Sequence, residues 1–112
     1  MYKGKIAVLV NEDSGSASEI AAAALKDHLK APVIGKKTAA AVLVAVIAKL
    51  PHGYMMEYPV FDFVTHHGVR LEGTGVSPDK DVEDPEFEMP ANLDPVVKTA
   101  VQSLQEASRK VA

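Results

Sequence analysis

The chain has 112 residues, 47% of them apolar, a formal net charge of −3 and no cysteine. That suffices for one folded domain with a modest core and is too apolar for a disordered segment. The charge, with no basic stripe, argues against a nucleic-acid partner, and the absence of cysteine excludes disulfides, thiolate metal sites and a cysteine nucleophile.

Taken in chain order, KIAVLVNE (5–12) reads as a strand buried on both faces and ending in a polar turn. The opening MYKGKIAVLVNE lacks the long apolar stretch and small-residue cleavage site of a signal peptide. A helix is expected from Ser16 to about Lys30, with Ala17, Ile20, Ala21, Ala24, Leu25 and His28 at helical spacing and Pro32 stopping it. A short strand, Pro32 to Gly35, and a polar loop follow. Residues 41–50 are rich in β-branched side chains and read as strand. The apolar run 39–48 has ten residues, half of the roughly 20 that cross a bilayer, so no membrane segment is expected.

Pro51-His52-Gly53 signals a turn, and 56–65 a strand in which Pro59 suggests an edge or a bulge. His66-His67-Gly68 reads as a hairpin turn into 69–72. The Gly/Pro/Asp-rich residues 73–92 read as loop. Asp94 and Pro95 look like the N-cap and first position of a last helix, whose apolar face is Val97, Ala100, Val101, Leu104, Ala107 and Val111. No repeat or linker divides the chain, so residues 1–112 are expected to form a single α/β domain with helices packed on a sheet. A sheet fed by so few elements should leave open edges, which suggests a fragment or a domain completed by a partner. The apolar strand at 41–50 and those edges also suggest self-association into a homo-oligomer.

Ser16-Ala17-Ser18-Glu19 is S-x-x-E ahead of an apolar helix, a capping-box pattern in which Ser16 and Glu19 satisfy each other's backbone amides. The same place suits chemistry. A serine between a buried strand and a helix stands on a tight turn, and the amides of the first helical turn, Ala17 N–H among them, face the same way. Acyl transfer needs such a nucleophile beside backbone donors.

KGKIAVLVNEDSGSASEIAAAALKDH resembles the nucleophile segment of the carboxyl-terminal processing (tail-specific) serine peptidases. IGKKT, LPHG, GVRLEGTGVSPD and DPVVKTAVQSL match in order, so the resemblance covers almost the whole chain. It implies a crotonase-like α/β fold, of which this chain would be the C-terminal part of the catalytic domain. It also implies hydrolysis of polypeptide substrates through an acyl-enzyme on Ser16, and no cofactor. Glu19 would lie near the nucleophile and the Ala17 N–H would serve the oxyanion hole. Members of the family are often periplasmic or secreted.

One position departs from the family pattern. The family lysine, in a motif like G-x-K-T-x-G-K-G, falls on Ala41 in Gly35-Lys36-Lys37-Thr38-Ala39-Ala40-Ala41. A serine without a base is a weak nucleophile. In the similar tricorn-type core branch, a glutamate shortly before G-V-x-P-D works in a relay with a histidine from an upstream segment. Glu72 matches that glutamate, although alone it reads more readily as a solvated strand-end carboxylate. The chain by itself is therefore expected to be inactive or nearly so. The rival reading is a non-catalytic peptide-binding or scaffold module on the same fold, for which Ala41 is the main support.

His28, His52, His66 and His67 lack a third ligand at sensible spacing, so no metal site is expected, and a triad with Ser16 built from one of them is disfavoured. The acidic residues from Asp79 to Glu88 lack the ligand order of a calcium loop, and Lys36-Lys37 reads as a solvated turn.

Overall fold

A computed structural model describes residues 2–110. The apolar run near the N-terminus forms β1 (Val8–Val10), followed by α1 (Ala17–Leu29) and β2 (Val33–Gly35). β1 and β2 pair in parallel with Leu9 opposite Ile34, so the first third of the chain is a βαβ unit. A two-residue strand, β5 (Lys80–Asp81), pairs parallel to the other side of β2, giving the order β1-β2-β5. That strand lies within the residues expected to be loop. It is too short to carry an apolar pattern and is set by pairing alone.

The sheet is the middle of three layers. Val10, Ala22, Ala23, Val33, Val42, Leu71 and Val76 form one buried cluster on the α1 side. Ile34 packs with Val96 and Ala100 of α2 (Pro95–Arg109) on the other. Successive residues of a strand point to opposite faces, so Val33 and Ile34 serve one layer each. β2 is central and wholly buried, whereas β1 is an edge whose Leu9 is 45% exposed. The first strand is therefore shorter than expected and not buried on both faces. Gly35 closes β2 at φ 124, where an added Cβ would lie 1.9 Å from the Val10 carbonyl oxygen, so no other residue fits.

The helices begin as the sequence suggests and face differently. In α1 the buried residues are Glu19, Ala22 and Ala23, while Ala17, Ala21, Ala24 and His28 are exposed. Four consecutive alanines carry no periodicity, and the register is set by the burial of Glu19. The helix ends in a left-handed Lys30. In α2, Asp94 caps as expected, accepting from the Val96 and Val97 amides, and Pro95 opens the helix. Its buried stripe is Val96, Ala100 and Ser103, with Val101 exposed. Val111, expected on that face, lies outside the described residues.

The middle of the chain departs most from expectation. β3 (Val44–Lys49) and β4 (Met55–Phe61) form a separate antiparallel hairpin around a single 3-10 turn at Pro51–Gly53. The register shifts between Val44 and Ala45, opposite Pro59 and Phe61, so Pro59 borders a bulge as its ring requires. The strands do not join the parallel sheet, and every residue of β4 is exposed. Beyond β4 the expected hairpin at His66–Gly68 is reduced to a turn and one bridge, Val64 to Arg70. The molecule is elongated, with a radius of gyration of 17.2 Å against roughly 13 Å for a compact chain of this length. No helix among the described residues is long and apolar enough to cross a membrane.

Candidate active site

The loop from β1 to α1 sorts the three serines. Ser14 is tied down: its hydroxyl accepts from the Asn11 amide at 3.0 Å and donates to the Asn11 side-chain oxygen at 3.3 Å. Ser18 lies within the first turn of α1. Ser16 is exposed at the N-cap, at φ 55 and ψ −126. With Ser18 N–H donating to the Gly15 carbonyl at 3.2 Å, this is the first central position of a type II′ turn, where glycine is the usual occupant. A side chain held there costs about 1–3 kcal/mol.

The serine half of the capping box does not form. Ser16 makes no side-chain cap bond, and its hydroxyl has no hydrogen-bond partner among the described residues. The Glu19 side chain leaves the helix end and enters the core, where it is fully buried. It accepts from the Thr38 hydroxyl, from the Ala40 N–H at 2.8 Å and from the Ala41 N–H at 2.9 Å. Burial alone would raise its pKa. The Thr38 hydroxyl and the Ala41, Ala40 and Ser16 amides outweigh burial and hold the carboxyl below its usual range. An ionised carboxylate thus fastens residues 38–41 against the start of α1.

That strap brackets Ser16. The Ser16 N–H donates to the Ala41 carbonyl at 2.7 Å, and the Ala39 N–H donates to the Ser14 carbonyl at 3.0 Å. Ala40 takes φ 60, a second non-glycine residue in left-handed territory beside the same carboxylate. Ala41 is exposed. The residue matched to the family lysine therefore lies beside Ser16 in space and offers only a methyl group. One residue further on, Glu72 Oε2 accepts from the Val42 and Leu43 amides at 2.8 and 3.2 Å. Glu72 Oε1 makes no hydrogen bond among the described residues. Glu72 is thus half-buried and bound to the strap, which differs from a solvated strand end. The Ala17 N–H donates to no protein acceptor among the described residues and stands at the positive end of α1.

The histidines lie elsewhere. His28 follows Ser16 by twelve residues along α1, about 18 Å at the helical rise of 1.5 Å per residue. The His66 ring lies tilted against that of His28 at 5.2 Å between centroids, and the His67 ring meets that of His66 edge-on at 5.3 Å, so all three sit at the far end of the helix. His52 is in the turn at the hairpin tip. No group of described residues is arranged to hold a metal ion. Lys36 bonds Asp81 and Glu83, which raise its pKa further above its usual range and keep it a cation, so it supplies no base.

Sequence reasoning missed the partners of these groups. Thr38 is buried and double-acting, donating to Glu19 and accepting the Val76 amide at 2.7 Å. Asp79 accepts from the Val33 amide at 2.8 Å and pairs with Lys26 at 2.9 Å, so the acidic stretch is not simply solvated. Asp84 accepts from the Asn11 side chain at 2.6 Å, next to the serine turn.

Ser16 is thus an exposed serine on a strained strand-to-helix turn, beside an uncommitted helix-terminal amide. The particular family follows from comparison: the chain belongs to peptidase family S41, whose model matches residues 1–82. It is 34% identical over 106 residues to a probable CtpA-like serine protease of Staphylococcus epidermidis, covering 95% of this chain and 21% of that protein. A probable CtpA-like serine protease of Staphylococcus aureus is 36% identical over 94 residues, 84% of this chain and 19% of the relative. Among solved structures, a photosystem II D1 C-terminal processing protease aligns with a TM-score of 0.62 and 34% identity, over 70% of this chain and 20% of that one. Mature CPAF complexed with lactacystin aligns with a TM-score of 0.66 and 25% identity, over 98% and 20%. The chain spans about a fifth of the length of these relatives.

Proposed function

We propose that this chain is the nucleophile-bearing part of a carboxyl-terminal processing serine endopeptidase, a single crotonase-like α/β domain segment acting on polypeptides. The observation that carries this is Ser16: exposed, strained, with a free hydroxyl, beside the unpaired Ala17 N–H. Ser16 Oγ attacks the scissile carbonyl carbon, its proton passes to a base, and the Ala17 N–H stabilises the oxyanion. The amine leaves with a proton, and water releases the acyl group. Glu19 positions the strap behind the nucleophile. Glu72, with Oε2 held by two amides and Oε1 free, orients the base. That base comes from outside the described residues, as does a second oxyanion donor.

The 112-residue chain alone is accordingly expected to hydrolyse peptides barely or not at all. Robust hydrolysis by the isolated chain, lost in Ser16→Ala, would show that the base lies within it. The exposed methyl of Ala41 beside Ser16 favours one alternative, a non-catalytic peptide-binding module. The two readings part on whether Ser16 reacts with an acylating or phosphonylating probe.

A further inference from the structure

Thr38 stands between the two halves of the site. It is 6% exposed, and its hydroxyl donates its one proton to Glu19 Oε1 and accepts from the Val76 N–H at 2.7 Å. Its own N–H donates to the Val76 carbonyl at 3.1 Å. On the nucleophile side, Glu19 carries the link onward. It accepts from the Ala40 and Ala41 amides, and the Ala41 carbonyl accepts from the Ser16 N–H at 2.7 Å. On the other side, Val76 closes the segment 71–76 that bears Glu72. That segment is fitted to the strap. The Gly73 N–H donates to the Ala40 carbonyl at 2.9 Å, and Glu72 holds the next two amides, of Val42 and Leu43. Gly75 lies at φ 66, where an added Cβ would be 2.9 Å from Thr38 Oγ1 and 3.2 Å from Ala40 Cβ, so a side chain there would push the hydroxyl out of place.

We propose that Thr38 is a positioning residue for the proposed chemistry. Its hydroxyl fastens the nucleophile turn and the Glu72 segment to one strap, and so holds Ser16 at its positive φ beside the Ala17 N–H. The inference rests on the reading of Ser16 as nucleophile and Glu72 as the group that orients the base. A non-glycine residue at φ 55 relaxes unless its surroundings hold it there. What holds Ser16 is the Ala41 carbonyl, and the strap that carries this carbonyl is held by Glu19. Glu19 in turn is fixed in the core by Thr38. Removing the hydroxyl strips Glu19 Oε1 of a donor and the Val76 N–H of an acceptor at one stroke, in a place water does not reach. Ala40, at φ 60, lies on the same strap, so both strained residues of the site depend on this one group.

Thr38→Val keeps the shape and removes the hydroxyl, whereas Thr38→Ser keeps the hydroxyl. Ser16→Gly relieves the strain at the turn, and its gain in thermal midpoint reads how firmly Ser16 is held. That gain should fall to less than half in the Thr38→Val background and persist with Thr38→Ser. In the folded 112-residue chain treated with a fluorophosphonate at alkaline pH, Thr38→Val should slow labelling of Ser16 about tenfold or more. Thr38→Ser should label within about threefold of the wild-type rate. A threonine that only stabilises the fold would lower the midpoint in Thr38→Val and move neither readout. Equal gains from Ser16→Gly in both backgrounds, or labelling of folded Thr38→Val at the wild-type rate, would each overturn the proposal. Gly75→Ala displaces the hydroxyl from the other side and should slow labelling likewise, which keeps the test open if Thr38→Val does not fold. No labelling of Ser16 in the folded wild type would sink the proposed chemistry instead, and the midpoint comparison would still decide whether Thr38 holds the turn.

Discussion

Glu19→Gln removes one charge and changes one oxygen into an NH₂ group with almost no change of shape. Glu19 Oε1 serves the Thr38 hydroxyl and the Ala40 amide, and Oε2 serves the Ala41 amide. The glutamine oxygen can keep the first pair, but its NH₂ then faces the Ala41 N–H, donor to donor. One charge-assisted bond is lost, worth about 1.5–3 kcal/mol, and a part-buried amide is left without its acceptor, at the low end of about 1–3 kcal/mol. The two overlap, so the expected loss is about 3 kcal/mol, a large part of the 5–15 kcal/mol typical of a domain. Urea unfolding reads this as a fall of about 2 M in the midpoint, at a slope of about 1.5 kcal/mol/M. The pH dependence carries a sign. The folded pKa of Glu19 is lowered, so its contribution is complete above the unfolded value of about 4.3 and is lost as pH falls through the folded value. The wild type should lose stability through that acid range, and Glu19→Gln should lose less there. A cost below about 1 kcal/mol, with an unchanged acid limb, would refute the reasoning that this carboxylate holds the strap.

Further substitutions address the turn and position 41. Ser16→Gly relieves the positive φ and should stabilise the chain by about 1 kcal/mol, whereas Ser16→Ala keeps the Cβ and should stay within about 0.5 kcal/mol of the wild type. Equal thermal midpoints for the two variants would remove the strain argument. Ala41→Lys places an amine beside Ser16 and should speed phosphonylation of that serine at least tenfold, with a rate that rises as the amine loses its proton. An unchanged rate would mean that position 41 does not aim its side chain at the hydroxyl.

Local chemistry made the element order readable. The Asp94-Pro95 cap, the Pro51-Gly53 turn and the strand-to-helix change at Ser16 are fixed by residues next to one another. Faces and partners were not readable where pairing is long-range. Nothing around the alanines at 21–24 announces that Glu19 points inward, because its donors come from residues 38–41. β5 exists only because the Lys80 and Asp81 backbones meet β2. The exposed β3–β4 hairpin was mistaken for part of the sheet because its β-branched run looks the same whether a partner covers it or not. At the site, Ser16 stood out in sequence because a cap and a nucleophile use the same position. Its strain did not, since φ at that residue depends on the Ala41 carbonyl across the loop.

The central claim is that Ser16 is the nucleophile, and site-resolved mass spectrometry after prolonged fluorophosphonate treatment tests it most directly. At alkaline pH, where hydroxide can serve as the base, we expect an adduct on Ser16 of the folded chain and none on Ser14 or Ser18. The adduct should disappear on unfolding in urea and in Ser16→Ala. Labelling spread evenly over the three serines, or none on Ser16 in a chain shown to be folded, would contradict it.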